Sequence, residues 1–133
     1  MAARYGLTDR ITSPLMVYDL TGNPLAPPAN QAAAARVAAV GPQDSAEYGA
    51  ALAAGFGVFL EGTCGLYNIA TAPGYRSRGY GRAVSSRIMA DGIGRGAELA
   101  YLQSTPDGYP LYQSMGFRTV ETWTYLCSPA PGG

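Results

Sequence analysis

The sequence contains no histidine and no lysine, and all nine of its basic residues are arginines, balanced by nine acidic residues. The absence of histidine excludes a histidine general base, a Ser-His-Asp triad and histidine-ligated metal sites. Zero net charge argues against bulk electrostatic attraction to nucleic acid or to an anionic membrane. The two cysteines, Cys64 and Cys127, lack the CxxC spacing of zinc and iron–sulfur sites. We therefore expect no metal centre, no nucleic-acid partner and no membrane partner.

Long apolar runs are also missing. No stretch reaches the roughly eighteen apolar residues of a membrane-spanning helix, and the first residues lack the basic region and apolar core of a secretion signal. We therefore expect a cytoplasmic protein with two free thiols. Apolar residues make up 47% of the 133 residues, which is enough for one globular domain with a hydrophobic core.

Strand and helix patterns alternate along the central part of the chain. A short apolar run at 34–40 predicts a strand, and Asp44 or Ser45 suits the N-cap of a helix that would end near Gly55 and Gly57. The later predicted elements are a strand at 64–70, a helix from Ser77 to about Gly94, a strand at 97–104, a short helix at 110–115 and a strand at 118–127.

The two ends of the chain lack this alternation. We interpret residues 1–33 as an irregular N-terminal arm, within which residues 15–25 could form a hairpin around a Gly-Asn turn. Residues 128–133 form a tail. The alternating order between them predicts an α/β domain at 34–127, with a mixed sheet and helices packed on it.

The stretch from Tyr67 to Val84, YNIATAPGYRSRGYGRAV, places a basic, glycine-rich turn between a predicted strand and a predicted helix. Gly79 and Gly81 lack a Cβ, so the backbone there can turn tightly and approach a ligand. The start of a helix exposes unpaired N–H groups and the positive end of its dipole, and three arginines lie at the same place. These features predict a site for an anion, most naturally a phosphate or pyrophosphate.

Two common phosphate loops do not match this turn. The P-loop requires a lysine after its last glycine, and the chain has none. The dinucleotide-binding fingerprint requires a third glycine three residues after the second, and that position is Val84. Both are therefore excluded.

The pattern Arg-x-x-Gly-x-Gly from Arg76 to Gly81 resembles the acyl-CoA pyrophosphate loop of the GNAT superfamily of N-acetyltransferases. Downstream, LYQSMGF (residues 111–117) is similar to the family's short helix with its tyrosine and Gly-Phe pair, which a final strand follows. The resemblance implies a GNAT-like, mixed and mostly antiparallel sheet flanked by helices. It also implies acetyl-CoA as cosubstrate and transfer of its acetyl group to a primary amine.

The resemblance assigns roles to individual residues. Backbone groups of Asn68, Ile69, Ala70 and Thr71 would pair with the pantetheine arm of acetyl-CoA. The pyrophosphate would lie on the loop formed by Arg76, Ser77, Arg78, Gly79, Tyr80, Gly81 and Arg82. Tyr112 matches the tyrosine that often serves as general acid for the leaving CoA thiolate, a role that a phenol pKa of about 10 suits. Glu61, just before the cofactor strand, is the best-placed carboxylate for a general base.

The chain also departs from the family. Few residues separate the strand at 34–40 from the cofactor strand, so the family's second helix and its second and third strands are expected to be missing. An unpaired edge on the cofactor strand would favour a homodimer. Two functions stay open. The chain is an active acetyltransferase for a small amine or a protein N-terminal or side-chain amine, or it is a truncated, inactive member that serves as a CoA-binding or protein-interaction module.

Overall fold

The computed structural model of the protein describes residues 6, 9–23, 25, 37–38 and 53–128. Strand pairing in these residues is mixed and mostly antiparallel with one parallel pair, which confirms the predicted α/β fold class. The elements are β1 (Asp9–Asp19), β2 (Ala53–Leu60), β3 (Thr63–Thr71), α1 (Tyr80–Gly94), β4 (Leu99–Gln103), α2 (Tyr109–Met115) and β5 (Arg118–Cys127). Within the described residues, neither helix is long and apolar enough to span a membrane.

The chain forms two compact units, the hairpin unit, Tyr18–Leu102, and the terminal unit, Met1–Val17 together with Gln103–Gly133. The hairpin unit is named after β2 and β3, which pair antiparallel around the two-residue turn Glu61-Gly62. Both turn residues have positive φ, 48° and 78°, as a type I′ hairpin turn requires. Strand β4 then pairs with β3 in parallel.

Helix α1 packs on one face of the β2–β3 hairpin, and glycines allow a close approach. A Cβ at Gly57 would lie 2.7 Å from Cγ2 of Ile88, and a Cβ at Gly92 would lie 2.8 Å from Cβ of Cys64. The Cys64 thiol is buried at this contact and donates to the carbonyl oxygen of Ile88 across 3.6 Å. Burial raises the pKa of this thiol to about 11, so it stays protonated at neutral pH and contributes to packing.

The predicted helix end at Gly55 and Gly57 is wrong. Both glycines lie inside β2, where the missing side chains leave room for Val84 and Ile88 of α1. Helix C-termini and strands that pack closely under a helix both favour glycine, so the local pattern does not separate the two.

The expectation that missing strands leave the cofactor strand with an unpaired edge is corrected as well, because one strand, β2, directly precedes it. Strand β2 pairs with β3 from Leu60↔Thr63, next to the turn, to Ala53↔Thr71 at the far end. The β3 edge that faces β2 is therefore satisfied within the chain. This removes the argument for a homodimer that rested on an unpaired edge at this position.

In the terminal unit, β1 and β5 pair antiparallel from Asp9↔Cys127 to Val17↔Arg118. Strand β1 corrects the expectation of irregular structure for residues 9–19. Residues 15–19, the first arm of the candidate hairpin at 15–25, are part of this strand. The contact from Cys127 back to Asp9 spans 118 positions in sequence, so no local pattern could reveal this pairing. The limits 34–127 for the domain and 128–133 for the tail stay predictions.

The other predicted elements within the described residues are confirmed. Strands β3, β4 and β5 and helix α2 lie where the sequence predicts them, within a few residues. Helix α1 ends at Gly94 as expected but begins at Tyr80, because Ser77 and Gly79 have positive φ, which a right-handed helix does not accommodate. The predicted strand at 34–40, apart from 37–38, and the predicted start of the first helix lie outside the described residues.

The close contact of α1 with β3 predicts opposite effects for two glycine substitutions in the same helix. Gly92→Ala should lower the free energy of unfolding by about 1–3 kcal/mol, because the new Cβ would press on Cβ of Cys64. Gly94→Ala meets no atom within 4 Å and should raise it by about 0.5–1 kcal/mol through helix propensity. Urea unfolding curves measure both values, and equal stabilities of the two variants would contradict this packing.

Candidate functional site

The parallel pairing of β3 with β4 stops early. It joins residues 63–65 to residues 99–101, whereas β3 itself runs on to Thr71. We call the point where this pairing ends, at Gly65 and Tyr101, the fork. Beyond the fork β3 stays paired with β2 on one side. Its other edge carries backbone N–H and C=O groups that can pair with an extended ligand.

A β-bulge in β3 follows the fork. The register with β2 shifts by one residue between Ala54 and Phe56, and β3 carries the extra residue. In this segment Asn68 has a φ of 53°, a left-handed conformation that asparagine tolerates better than most residues. Tyr67 and Ile69 consequently lie on opposite faces of the hairpin, and Ile69 is on the face that α1 covers.

The loop between β3 and α1, residues 72–79, contains three residues with positive φ. These are Gly74 at 87°, Ser77 at 62° and Gly79 at 83°. Alternation of left-handed and right-handed residues can direct successive backbone N–H groups toward one side, and such concave arrangements bind anions. The backbone of the loop is therefore suited to hold the phosphate-like group that the sequence predicts.

Arginine side chains pack onto the same loop. Nε of Arg76 donates to the carbonyl oxygen of Thr71, at the end of β3, across 3.3 Å. The guanidinium of Arg78 lies 5.4 Å from the centre of the Tyr75 ring, a cation–π contact. These contacts stabilise the loop and place positive charge beside it.

Helix α1 begins directly after Gly79, and its first backbone bond runs from the Ala83 N–H to the Gly79 carbonyl oxygen at 3.0 Å. The preceding N–H groups of the first turn have no partner within the helix and coincide with the positive end of its dipole. This first turn contains no acidic residue and no capping side chain. An anion bound here would therefore meet N–H groups and arginine charge without a competing carboxylate.

Tyr112 lies in α2 of the terminal unit. Its ring packs edge-to-face on Phe117 with 5.8 Å between ring centres, and only 7% of the residue is exposed. Its backbone carbonyl accepts the Phe117 N–H at 3.0 Å, just after Gly116 ends the helix with a φ of 104°. Packing therefore holds this tyrosine in a defined position, which a residue that delivers one proton requires.

Glu61 lies in the hairpin turn before β3, whereas the loop follows the other end of β3. The nine residues of β3 separate the two, which corresponds to about 30 Å of extended chain. The hairpin unit thus brings the predicted cofactor residues, 68–71 and 76–82, together at one end of β3 and leaves Glu61 at the other. Glu61 therefore does not contribute to the anion site around the loop, and its role as general base stays a prediction.

Comparison with known proteins agrees with this geometry. The family model described as acetyltransferase (GNAT) domain matches residues 37–119, which is more than half of the chain. The chain belongs to the GNAT superfamily.

One solved structure shows how far the similarity extends. It is the crystal structure of a protein from Novosphingobium aromaticivorans DSM 12444 that is described as an acetyltransferase from the GNAT family. The TM-score is 0.62 and the sequence identity 18%, over 92% of this chain and 66% of the other. At this identity the similarity shows a shared fold, and this chain spans slightly less than two thirds of that protein. No curated protein sequence matches the chain.

Sequence reasoning missed three aromatic residues at the fork of this GNAT domain. Phe56 of β2 stacks on Tyr67 of β3, and the Tyr67 hydroxyl lies 3.2 Å from that of Tyr101 in β4. The signal that could have found Phe56 is the triplet Gly-Phe-Gly at 55–57. In a strand this alternation leaves the ring alone on one face and makes room for a helix on the other.

The bulge predicts that the stability of variants at position 68 depends on whether the new residue tolerates a positive φ. Asn68→Gly should change the free energy of unfolding by less than about 0.5 kcal/mol, because glycine also adopts positive φ. Asn68→Val should lower it by about 1–3 kcal/mol, because a β-branched residue is strained at a φ of 53°. Ala70→Val, at an exposed position of the same strand, is the control and should be nearly neutral in urea unfolding. Equal stabilities of the two valine variants would contradict a left-handed Asn68.

Proposed function

We propose that the chain is an N-acetyltransferase, which moves the acetyl group of acetyl-CoA to a primary amine of a small molecule or a protein. The observation that carries this proposal is the fork. After Gly65, β3 is no longer paired with β4, and it then ends at a loop and a helix start that are suited to an anion. An edge for an extended arm and a site for a pyrophosphate thus follow each other along one strand. Membership of the GNAT superfamily supports acyl transfer as the reaction class.

Each part of acetyl-CoA then has a matching part of the chain. The pyrophosphate would lie over residues 76–82, bound by backbone N–H groups and balanced by arginine charge. The pantetheine arm would run along the edge of β3 beside residues 68–71. Because the pyrophosphate is held after the end of β3, the thioester would lie at the other end of the arm, close to the fork.

The reaction joins an amine to the acetyl carbon. The nitrogen lone pair attacks the thioester carbonyl, the C–N bond forms, the C–S bond breaks, and the amine gives up one proton. CoA leaves as a thiolate, which the hydroxyl of Tyr112 would protonate before it regains a proton from solvent. The amine proton would pass to water or to Glu61, whose turn lies at the same end of β3 as the fork.

The anion site predicts that added negative charge in the loop weakens acetyl-CoA binding. Ser77→Asp should raise the dissociation constant by about tenfold relative to Ser77→Asn, because the two side chains differ little in size and only aspartate repels the pyrophosphate. Both residues tolerate the left-handed φ of position 77. Isothermal titration calorimetry measures the two affinities, and the difference should shrink as salt is added. Equal affinities at low salt would contradict pyrophosphate binding in this loop.

The assignment of Tyr112 predicts a loss of turnover without a loss of cofactor binding. Tyr112→Phe keeps the ring that packs on Phe117 and should lower kcat by about 100-fold or more, with acetyl-CoA affinity unchanged. Tyr109→Phe removes another hydroxyl from the same helix, one that accepts a hydrogen bond from Thr119, and serves as the control. Thiol release in the presence of amines measures kcat. Full activity of Tyr112→Phe would remove this residue from the chemistry, and acetyl-CoA binding by the wild type without turnover would favour an inactive CoA-binding module.

A further inference from the structure

Three aromatic residues form a cluster on the face of the hairpin unit opposite α1, and we call Phe56, Tyr67 and Tyr101 the aromatic cluster. The rings of Phe56 and Tyr67 are stacked with 5.5 Å between centres and 11° between planes. The rings of Tyr67 and Tyr101 meet edge-to-face at 6.2 Å. Phe56 is nevertheless 44% exposed and Tyr67 40% exposed, so the stacked pair offers an apolar surface to a ligand.

Gly65 allows the aromatic cluster to form. A Cβ at this position would lie 2.7 Å from Cζ and the hydroxyl oxygen of Tyr101 and 2.7 Å from Cε2 of Tyr67. Gly65 and Tyr101 are also the last residues that pair β3 with β4. The aromatic cluster therefore lies at the fork itself, beside the end of β3 toward which the thioester would point.

The aromatic cluster is polar at one end and apolar at the other. The hydroxyls of Tyr67 and Tyr101 lie 3.2 Å apart where β3 and β4 part, and Phe56 lies one strand further away on β2. The hydrogen bond to Tyr67, with burial as a second cause, raises the pKa of Tyr101. Its phenol therefore stays neutral at neutral pH, when it can both donate and accept hydrogen bonds.

We propose that the aromatic cluster is the acceptor-binding surface and that the acceptor is a primary amine carrying an aromatic ring. The amine would bond to the hydroxyl pair of Tyr67 and Tyr101 at the fork. Its ring would pack on Tyr67 and Phe56. This inference rests on the proposed acetyl transfer and adds a substrate class to it.

The chemistry of the hydroxyl pair suits the reacting form of an amine. Only the neutral amine has the lone pair that attacks a thioester, and an adjacent carboxylate would stabilise the ammonium ion and raise the pKa of the amine. Neutral phenols accept a hydrogen bond from an amine N–H without adding negative charge. They therefore position the nitrogen while leaving it able to lose its proton.

The test compares two amines in steady-state kinetics, with thiol release as the signal. Wild-type protein should use 2-phenylethylamine with a kcat/KM at least about tenfold above that for n-butylamine, because only the first has a ring to stack. Tyr67→Phe and Tyr101→Phe should each raise the KM for 2-phenylethylamine by about 3–10-fold through loss of one hydrogen bond. The KM for acetyl-CoA should not change. Phe56→Leu should reduce the preference for 2-phenylethylamine over n-butylamine by about 3–10-fold.

Phe59→Leu is the matched control for Phe56→Leu. Phe59 lies in the same strand but pairs with Cys64 nearer the turn, and its ring contacts the guanidinium of Arg95 at 4.6 Å. This variant also loses an aromatic ring from β2. It should leave the preference between the two amines unchanged, and a change equal to that of Phe56→Leu would overturn the proposal.

Calorimetry with acetyl-CoA on the same proteins separates failure of this inference from failure of the proposed function. If the wild type binds acetyl-CoA and acetylates amines but the three cluster variants keep its preference and KM, the acceptor site is overturned and acetyl transfer stands. If the wild type does not bind acetyl-CoA, the acceptor site and the proposed acetyl transfer are both overturned.

If acetyl-CoA binds without turnover, saturation-transfer NMR with 2-phenylethylamine and CoA decides whether the amine binds the aromatic cluster. Signal on its ring protons that Phe56→Leu abolishes supports the site, and no signal overturns it. Analytical ultracentrifugation tests whether a second copy of the chain, rather than an amine, binds the aromatic cluster. Self-association of the wild type that Phe56→Leu removes would assign the aromatic cluster to a second copy of the chain and overturn the proposal.

Discussion

The site depends on unequal hydrogen bonding along the two edges of β3. This strand is paired with β2 from the hairpin turn to its far end, but with β4 over only three residue pairs. A strand bonded to neighbours on both edges throughout would have no backbone groups left for a ligand, and a strand held on neither edge would not keep an extended shape. The bulge at Asn68 places the side chains of Tyr67 and Ile69 on opposite faces of the hairpin.

Close packing of α1 on the hairpin also positions the loop between β3 and α1. Three contacts spread along the helix hold it on the hairpin: Val84 against Gly55, Ile88 against Gly57, and Gly92 against Cys64. Because these contacts run from the first turns to the last, they fix the position of the helix start relative to the end of β3. The N–H groups proposed to bind the anion and the edge of β3 are therefore positioned by the same packing, in which the small residues of β2 and α1 set the distance between helix and strands.

Features with a local physical cause could be predicted from the sequence. The end of α2 at Gly116 follows from the left-handed conformation that glycine accommodates, and the loop from Arg76 to Gly81 follows from its glycine spacing and charge. Features that depend on distant partners could not be predicted. Strand β1 pairs with β5, at the other end of the chain, and the fork is defined by where pairing with β4 stops. The Tyr67–Tyr101 hydroxyl contact is non-local in the same sense, since 34 positions separate its members.

The composition limits how protons can be handled in such a site. The chain has ten tyrosines and no histidine. The phenol of tyrosine is therefore its ring side chain that can both donate and accept hydrogen bonds. A phenol pKa of about 10 is close to that of a thiol, so a tyrosine can protonate a departing CoA thiolate, as proposed for Tyr112. The same pKa makes a neutral phenol a poor base. As proposed, the tyrosines at the fork orient the amine without taking its proton, which passes to water or to Glu61, whereas Tyr112 protonates the thiolate.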